Sequence, residues 1–291
     1  LGLGTAVPGH AYTQAQLQAL ADPHAGAGGG RRLAALYRRS GVRRRHSVLE
    51  IDRFYRPARP GGETDGGVGS SRDRGPTTAE RMVEYERGAA PLAASAAQAA
   101  LADAQVAPGQ IAQLVAVSCT GFSSPGLDTG IMDHVGLPAD AGRSQLGFMG
   151  CHGALSGLRV AGGLARARPG RRVLLVCGDV GGGRAGRGEV AGEASQVVPA
   201  PEAMTWRIGD HGFRMTLDPQ VPSLVREHLP GFLVPWLAGY GLSIGDVGGW
   251  AIPPGGPRIL TAALAALKLP EAAGEASRGI LADYGNMSSP T

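Results

Sequence analysis

Short apolar runs alternate along the chain with stretches of helical periodicity. "IAQLVAVSC" (111–119) is apolar, β-branched and followed closely by glycine, which predicts a buried strand. "SQLGF" (144–148) and "RRVLLVCGDV" (171–180) predict two more. Between them, "SSPGLDTGIMDHVGL" (123–137) reads as a turn and a short helix. Residues 152–167 set Leu155, Leu158, Ala161, Leu164 and Ala165 at helical spacing. Strand and helix alternate, which favours stacked βα units with parallel strands.

Upstream, Thr77 and Thr78 with Glu80 and Arg81 behind them mark a helix start. Pro91 is expected to divide this stretch and open a second, alanine-rich helix to about 103. Downstream, 221–242 predicts a helix interrupted by Pro230 and Pro235. "VGGWAI" (247–252) predicts a strand, "RILTAALAALKL" (258–269) a helix, and "RGILADYGNMSS" (278–289) a strand running into a turn.

Composition changes this picture in three places. The 48 glycines and 21 prolines concentrate in 23–30, 59–76 and 181–193, which read as loops. The net charge of +4 rests almost wholly on arginine, Lys268 being the single lysine, and reads as compositional bias rather than nucleic-acid binding. No apolar run reaches the roughly 18 residues of a membrane span, and "LGLGTAVPGH" lacks the charged and apolar regions of a signal peptide. Cys119, Cys151 and Cys177 are not at metal-ligand spacing, which suggests a reducing compartment and a cytoplasmic protein.

The chemistry centres on "LGFMGCHGALSGLRVA" (146–161). A strand, a glycine-flanked turn and a helix place Cys151 at a helix N-terminus, where unpaired N–H groups and the macrodipole favour a thiolate. The local setting leaves two readings open, a nucleophile or a buried small hydrophobe. The second suits Cys119 and Cys177 better, because both lie in or at the end of apolar strands.

The same stretch resembles the nucleophile turn of the type III polyketide synthases, the chalcone- and stilbene-synthase-like family of the thiolase superfamily. So do "CTGFSSPGLD" (119–128), "AMTWRIGDHGFRMTL" (203–217), "WAIPPGGPRIL" (250–260) and "ADYGNMSSP" (282–290), in family order. "GTAVPGHAYTQAQL" (4–17) and "GVRRRH" (41–46) also fit. The resemblance implies an α/β, thiolase-like fold of two related βα halves, with stacked sheets around buried helices. The first half, 1–185, would carry the nucleophile, and the second, 186–291, is expected to be truncated. It also implies an acyltransferase that joins a starter acyl-CoA to malonyl-CoA by decarboxylative condensation on a cysteine thioester. CoA thioesters would be substrates, with no further cofactor, no metal, no nucleic acid and no membrane, in a homodimer.

By that resemblance Cys151 is the nucleophile and Asn286 a donor to the malonyl thioester oxygen. The family's histidine position is occupied by Pro253. Proline can neither exchange a proton nor pair with a thiolate, and loss of a general base costs roughly 10²–10⁴-fold. His134, His152 and His211 are expected to have ordinary structural roles rather than to replace it. Met215 falls where many members carry a gatekeeper Phe. Arg43 and Arg44 belong to a basic run (Arg31, Arg32, Arg38, Arg39, Arg43, Arg44, Arg45) that suits either a solvated face or the phosphates of CoA. Two rivals stand beside the synthase. One is an inactive thiolase-fold homologue or fragment retaining CoA binding, favoured by Pro253. The other is a cysteine hydrolase, whose local signature is absent.

Overall fold

A computed structural model of the chain describes residues 1–21, 29–50, 76–179, 182–185 and 201–290. Its centre is a five-stranded sheet. Strand β4 (Ile111–Ser118) pairs in parallel with β5 (Gly142–Gly147) on one side and β6 (Arg172–Asp179) on the other. Beyond β6, β7 (Gly182–Ala185) and then β1 (Gly4–Ala6) add antiparallel, giving the order β1-β7-β6-β4-β5. Part of the glycine-rich run expected as loop is therefore strand β7. The first such run also yields structure, since Gly29 opens helix α2 (Gly29–Arg39), which follows α1 (Gln14–Ala21). Most of the remaining glycine-rich residues lie outside the described ones.

Strands β4 and β6 are buried on both faces, as parallel strands in a sheet interior are. Side-chain alternation sorts the two cores. Leu114 and Ala116 of β4 with Leu174 and Val176 of β6 face helix α3 (Thr78–Asp103), through Tyr85, Ala89, Ala93 and Ala97. Val115, Val117, Leu175 and Cys177 face helix α5 (Gly153–Ala167). Helix α4 (Leu127–Val135) closes the α3 side with Leu127 and Ile131.

Helix α3 starts where its sequence predicts. The Thr77 side chain accepts from the Glu80 N–H at 3.2 Å, and Glu80 accepts from the Thr77 N–H at 2.8 Å. It does not divide at Pro91, however, but runs through it for 26 residues. Buried Tyr85 and Ala89 before the proline and Ala93, Ala96 and Ala97 after it press against the same core. That packing outweighs the lost backbone bond.

The second half departs further from the prediction. Strands β8 (Met204–Gly209) and β9 (Gly212–Leu217) form a two-stranded hairpin. Helix α6 (Val221–Ala238) contains Pro230 and Pro235 without breaking, and α7 (Pro257–Ala266) matches its predicted span. The expected strand at 247–252 is extended chain outside any strand. The residues before Asn286 form helix α8 (Glu275–Tyr284) instead of a strand. Apolar runs become strands only with a ladder partner, and among the described residues neither stretch has one. Ser277 and Leu281 give α8 a buried face, with Leu281 packed against Val42 and Leu260. One further pair, β2 (His10–Thr13) with β3 (Arg44–Ser47), lies near the end of α8.

Candidate active site

Cys151 sits in a single 3₁₀ turn, Gly150–His152, that leads directly into α5. Gly150 makes the turn with φ +67°, a conformation that suits glycine. The half-buried sulfur of Cys151 thus stands at the N-terminus of a 15-residue helix, as the sequence predicts.

Asn286 reaches the same point from the other half. Helix α8 ends at Tyr284, and Gly285 turns the chain with φ +73°. The Asn286 Oδ1 accepts the Ser288 N–H at 2.9 Å, which fixes the amide orientation. Its Nδ2 then lies 3.4 Å from Cys151 Sγ and its Oδ1 3.5 Å from the same sulfur. A thiolate there accepts from Nδ2, and a thiol can donate to Oδ1.

Two features that the sequence reading missed lie on the segments next to this pair. Cys119 is fully buried, yet its sulfur accepts the Gly150 N–H at 3.1 Å, in the turn that carries Cys151. Burial, with the Asp179 charge nearby, pushes the Cys119 thiol up. The same causes push Cys177 up to about 12. The second feature is Asp179, a buried carboxylate at the end of β6. It accepts hydrogen bonds from Ser118, from Cys119 N, from both the N–H and hydroxyl of Thr120, and from Ser289. Tyr85 extends the network by donating to Ser118 Oγ at 2.8 Å, and desolvation raises its phenol to about 12. The signal was an acidic residue closing an otherwise apolar strand.

Pro253 is exposed. Its carbonyl accepts the Gly255 N–H at 2.9 Å, and the preceding Ile252 N–H is held by Ser277 Oγ at 3.0 Å. Met215 is exposed on β9, opposite Trp206. Its hairpin approaches the nucleophile turn through Phe213, whose ring lies 6.1 Å from Phe148 and 6.4 Å from Phe122. Arg43 and Arg44 are exposed on the β3 side, and Arg43 pairs with Asp283 of α8 at 2.6 Å. His134 is engaged with the Gly130 carbonyl of its own helix at 2.8 Å, His211 lies at the tip of the β8–β9 hairpin, and His152 is exposed beside Cys151. Among the described residues no three His, Cys, Asp or Glu are grouped to hold a metal ion, and no helix is long and apolar enough to cross a membrane.

Comparison with known proteins places this geometry in context. The profile for chalcone and stilbene synthases, N-terminal domain, matches residues 68–185, and that for the C-terminal domain matches 189–291. A 1,3,6,8-tetrahydroxynaphthalene synthase of Streptomyces peucetius subsp. caesius is 33% identical, over 98% of this chain and 81% of the relative. A 3,5-dihydroxyphenylacetyl-CoA synthase of Amycolatopsis orientalis is 27% identical, over 99% of this chain and 82% of the relative. Among solved structures, PKS-I from the brown alga Ectocarpus siliculosus superimposes with a TM-score of 0.86 at 25% identity, covering 99% of this chain and 85% of that one.

Proposed function

The chain belongs to the chalcone and stilbene synthase family, and from that premise we propose that Cys151 and Asn286 form its acyl-transfer site, with Pro253 limiting turnover. As a type III polyketide synthase of thiolase-like α/β fold, it condenses a starter acyl-CoA with malonyl-CoA. The observation that carries the site assignment is the 3.4 Å approach of Asn286 Nδ2 to Cys151 Sγ at the start of α5.

In this reading residues 1–185 supply the nucleophile half and 186–291 return Asn286 to it. The Cys151 thiolate attacks the starter thioester carbonyl, and CoA leaves as a thiolate that takes up a proton. Malonyl-CoA then binds with its thioester oxygen toward Asn286 Nδ2. Loss of CO₂ leaves an enolate whose charge that donor stabilises. The enolate carbon attacks the acyl-cysteine carbonyl, forming the new C–C bond and returning the sulfur as thiolate. CoA thioesters are the only small molecules this scheme requires. The exposed Arg43 and Arg44 suit the CoA phosphates, and Met215 lines the approach with a flexible apolar chain. A cytoplasmic homodimer completes the proposal.

Pro253 supports a second reading, a thiolase-fold protein that binds CoA thioesters without turning them over. One experiment separates the two. The chain is incubated with a starter CoA and malonyl-CoA, and both products and the Cys151 peptide are weighed by mass spectrometry. A polyketide product with acylated Cys151 supports the synthase. Acylated Cys151 without product supports the acyl-transfer site with its condensation step blocked, and an unmodified Cys151 in a chain that still binds the CoA thioester supports the second reading. Product formed equally well by Cys151→Ala overturns the site assignment.

A further inference from the structure

Asp179 is 1% exposed, and its two oxygens serve the supports of both Cys151 and Asn286. Oδ1 accepts Ser118 Oγ at 3.1 Å, Cys119 N at 2.6 Å, and Thr120 N and Oγ1 at 2.9 Å each. That fixes the turn whose Cys119 sulfur receives the Gly150 N–H, immediately before Cys151. Oδ2 accepts Ser289 N at 3.0 Å and the Ser289 hydroxyl. Ser289 belongs to the loop that carries Asn286, and it abuts the first residue of α5: a Cβ built on Gly153 would lie 2.8 Å from Ser289 Cβ.

One carboxylate therefore ties the loop of the second half to the nucleophile turn of the first. We propose that Asp179 is a positioning residue that sets the Asn286 amide against the Cys151 sulfur. The proposal rests on the reading of Cys151 and Asn286 as the acyl-transfer pair. Its two oxygens face different donors, so an amide in place of the carboxylate must turn an NH₂ toward one set. Either the Ser289 loop or the 118–120 turn then loses its acceptor.

The sign of one measurement separates positioning from simple charge. Removing a nearby negative charge by itself favours the Cys151 thiolate and speeds its alkylation. Displacing the Asn286 donor disfavours the thiolate and slows it. The test is the iodoacetamide rate at Cys151 at pH 7, read by peptide mapping on the full chain. It compares the parent, Asn286→Ala, Asp179→Asn and the double variant, with Cys177 labelling as the monitor of general loosening.

Asn286→Ala is expected to slow Cys151 about three- to tenfold, the worth of one hydrogen bond. Asp179→Asn should slow it by a similar factor, the double variant should be no slower than the slower single, and Cys177 should stay unlabelled. The positioning role is overturned if Asp179→Asn leaves the rate unchanged or raises it while Asn286→Ala slows it. It is equally overturned if the two effects multiply, or if Cys177 becomes labelled in parallel. If Asn286→Ala changes nothing, the Cys151–Asn286 pairing fails first, and Asp179 has no contact to position. Should Asp179→Asn not fold, Ser289→Ala decides. It removes one hydroxyl bond to Oδ2 and should slow Cys151 by a smaller factor, and an unchanged rate overturns the proposal.

Discussion

Ser289 and Gly153 meet beside the Cys151–Asn286 pair, and the contact leaves no room for a side chain at the start of the helix. A Cβ at residue 153 would lie 2.8 Å from Ser289 Cβ and 2.9 Å from Val117 Cγ1. Both neighbours are fixed, Ser289 by Asp179 and Val117 by its place in interior strand β4. Gly153→Ala should therefore cost about 1–3 kcal/mol by overpacking, read as a lower urea midpoint with unchanged slope. The same variant should slow Cys151 alkylation, because α5 must move away from the loop that carries Asn286. An unchanged midpoint would show that the contact yields without cost.

Thiol reactivity should rank Cys151 far above the other two. Cys177 is 1% exposed with its thiol pushed up to about 12, so at pH 8 roughly one molecule in ten thousand carries the thiolate there. Cys119 is 0% exposed and its thiol is likewise pushed up. Iodoacetamide labelling of the folded chain followed by peptide mapping should find Cys151 modified first. Faster labelling of Cys119 or Cys177 would contradict the assignment of the nucleophile.

The first half was largely legible because its signals are local. β4 and β6 are apolar runs buried on both faces, and α3 announces itself through Thr77 and Glu80. The helix start at Cys151 was legible from the glycines around it, whereas its reading as a nucleophile rests on the family resemblance. What escaped was set by distant contacts. Pro91 reads locally as a boundary, but Tyr85 and Ala93 on either side of it pack against one sheet face and carry the helix through. Residues 275–284 carry apolar positions that fit either a strand or a helix, and packing of Leu281 on Val42 and Leu260 selects the helix. The Asp179 network joins residues 118–120, 179 and 289, and no spacing rule connects such separations.

Alkaline pH should weaken the fold through Cys177 and Tyr85. Cys177 ionises at about 12 in the folded chain against 9.0 as a free thiol, and Tyr85 at about 12 against 10.0. Between the lower and higher value the folded state holds a proton that the unfolded state has released. Stability is therefore full below pH 9 and falls as pH rises toward 12, by up to about 1.4 kcal/mol per pH unit for each group. Urea midpoints should drop between pH 9 and 10 through Cys177, with Cys119 adding in the same direction, and more steeply above 10, where Tyr85 joins. Cys177→Ala should flatten the first part of that drop. A midpoint equally pH-dependent in the variant would remove Cys177 as its cause.

Restoring histidine at position 253 tests what limits turnover. Pro253 is exposed, and a residue before Pro254 is restricted toward extended geometry, which histidine adopts without strain. Pro253→His should thus fold as the parent does. If position 253 faces the Cys151–Asn286 pair, as the family resemblance implies, an imidazolium there favours the thiolate and adds a second donor to the malonyl oxygen. Both effects act on charged states formed during reaction rather than on bound CoA, so kcat should rise while KM for malonyl-CoA changes little. A gain of at least about tenfold in malonyl-CoA decarboxylation is expected from restoring a general base alone. Cys151 alkylation at pH 7 should rise in the same variant, and Asn286→Ala should cancel part of the gain in turnover because the two donors share one oxygen. A folded Pro253→His chain that gains neither decarboxylation nor thiol reactivity would show that residue 253 lies outside the site. A gain in thiol reactivity without decarboxylation would place it beside Cys151 but away from the malonyl oxygen.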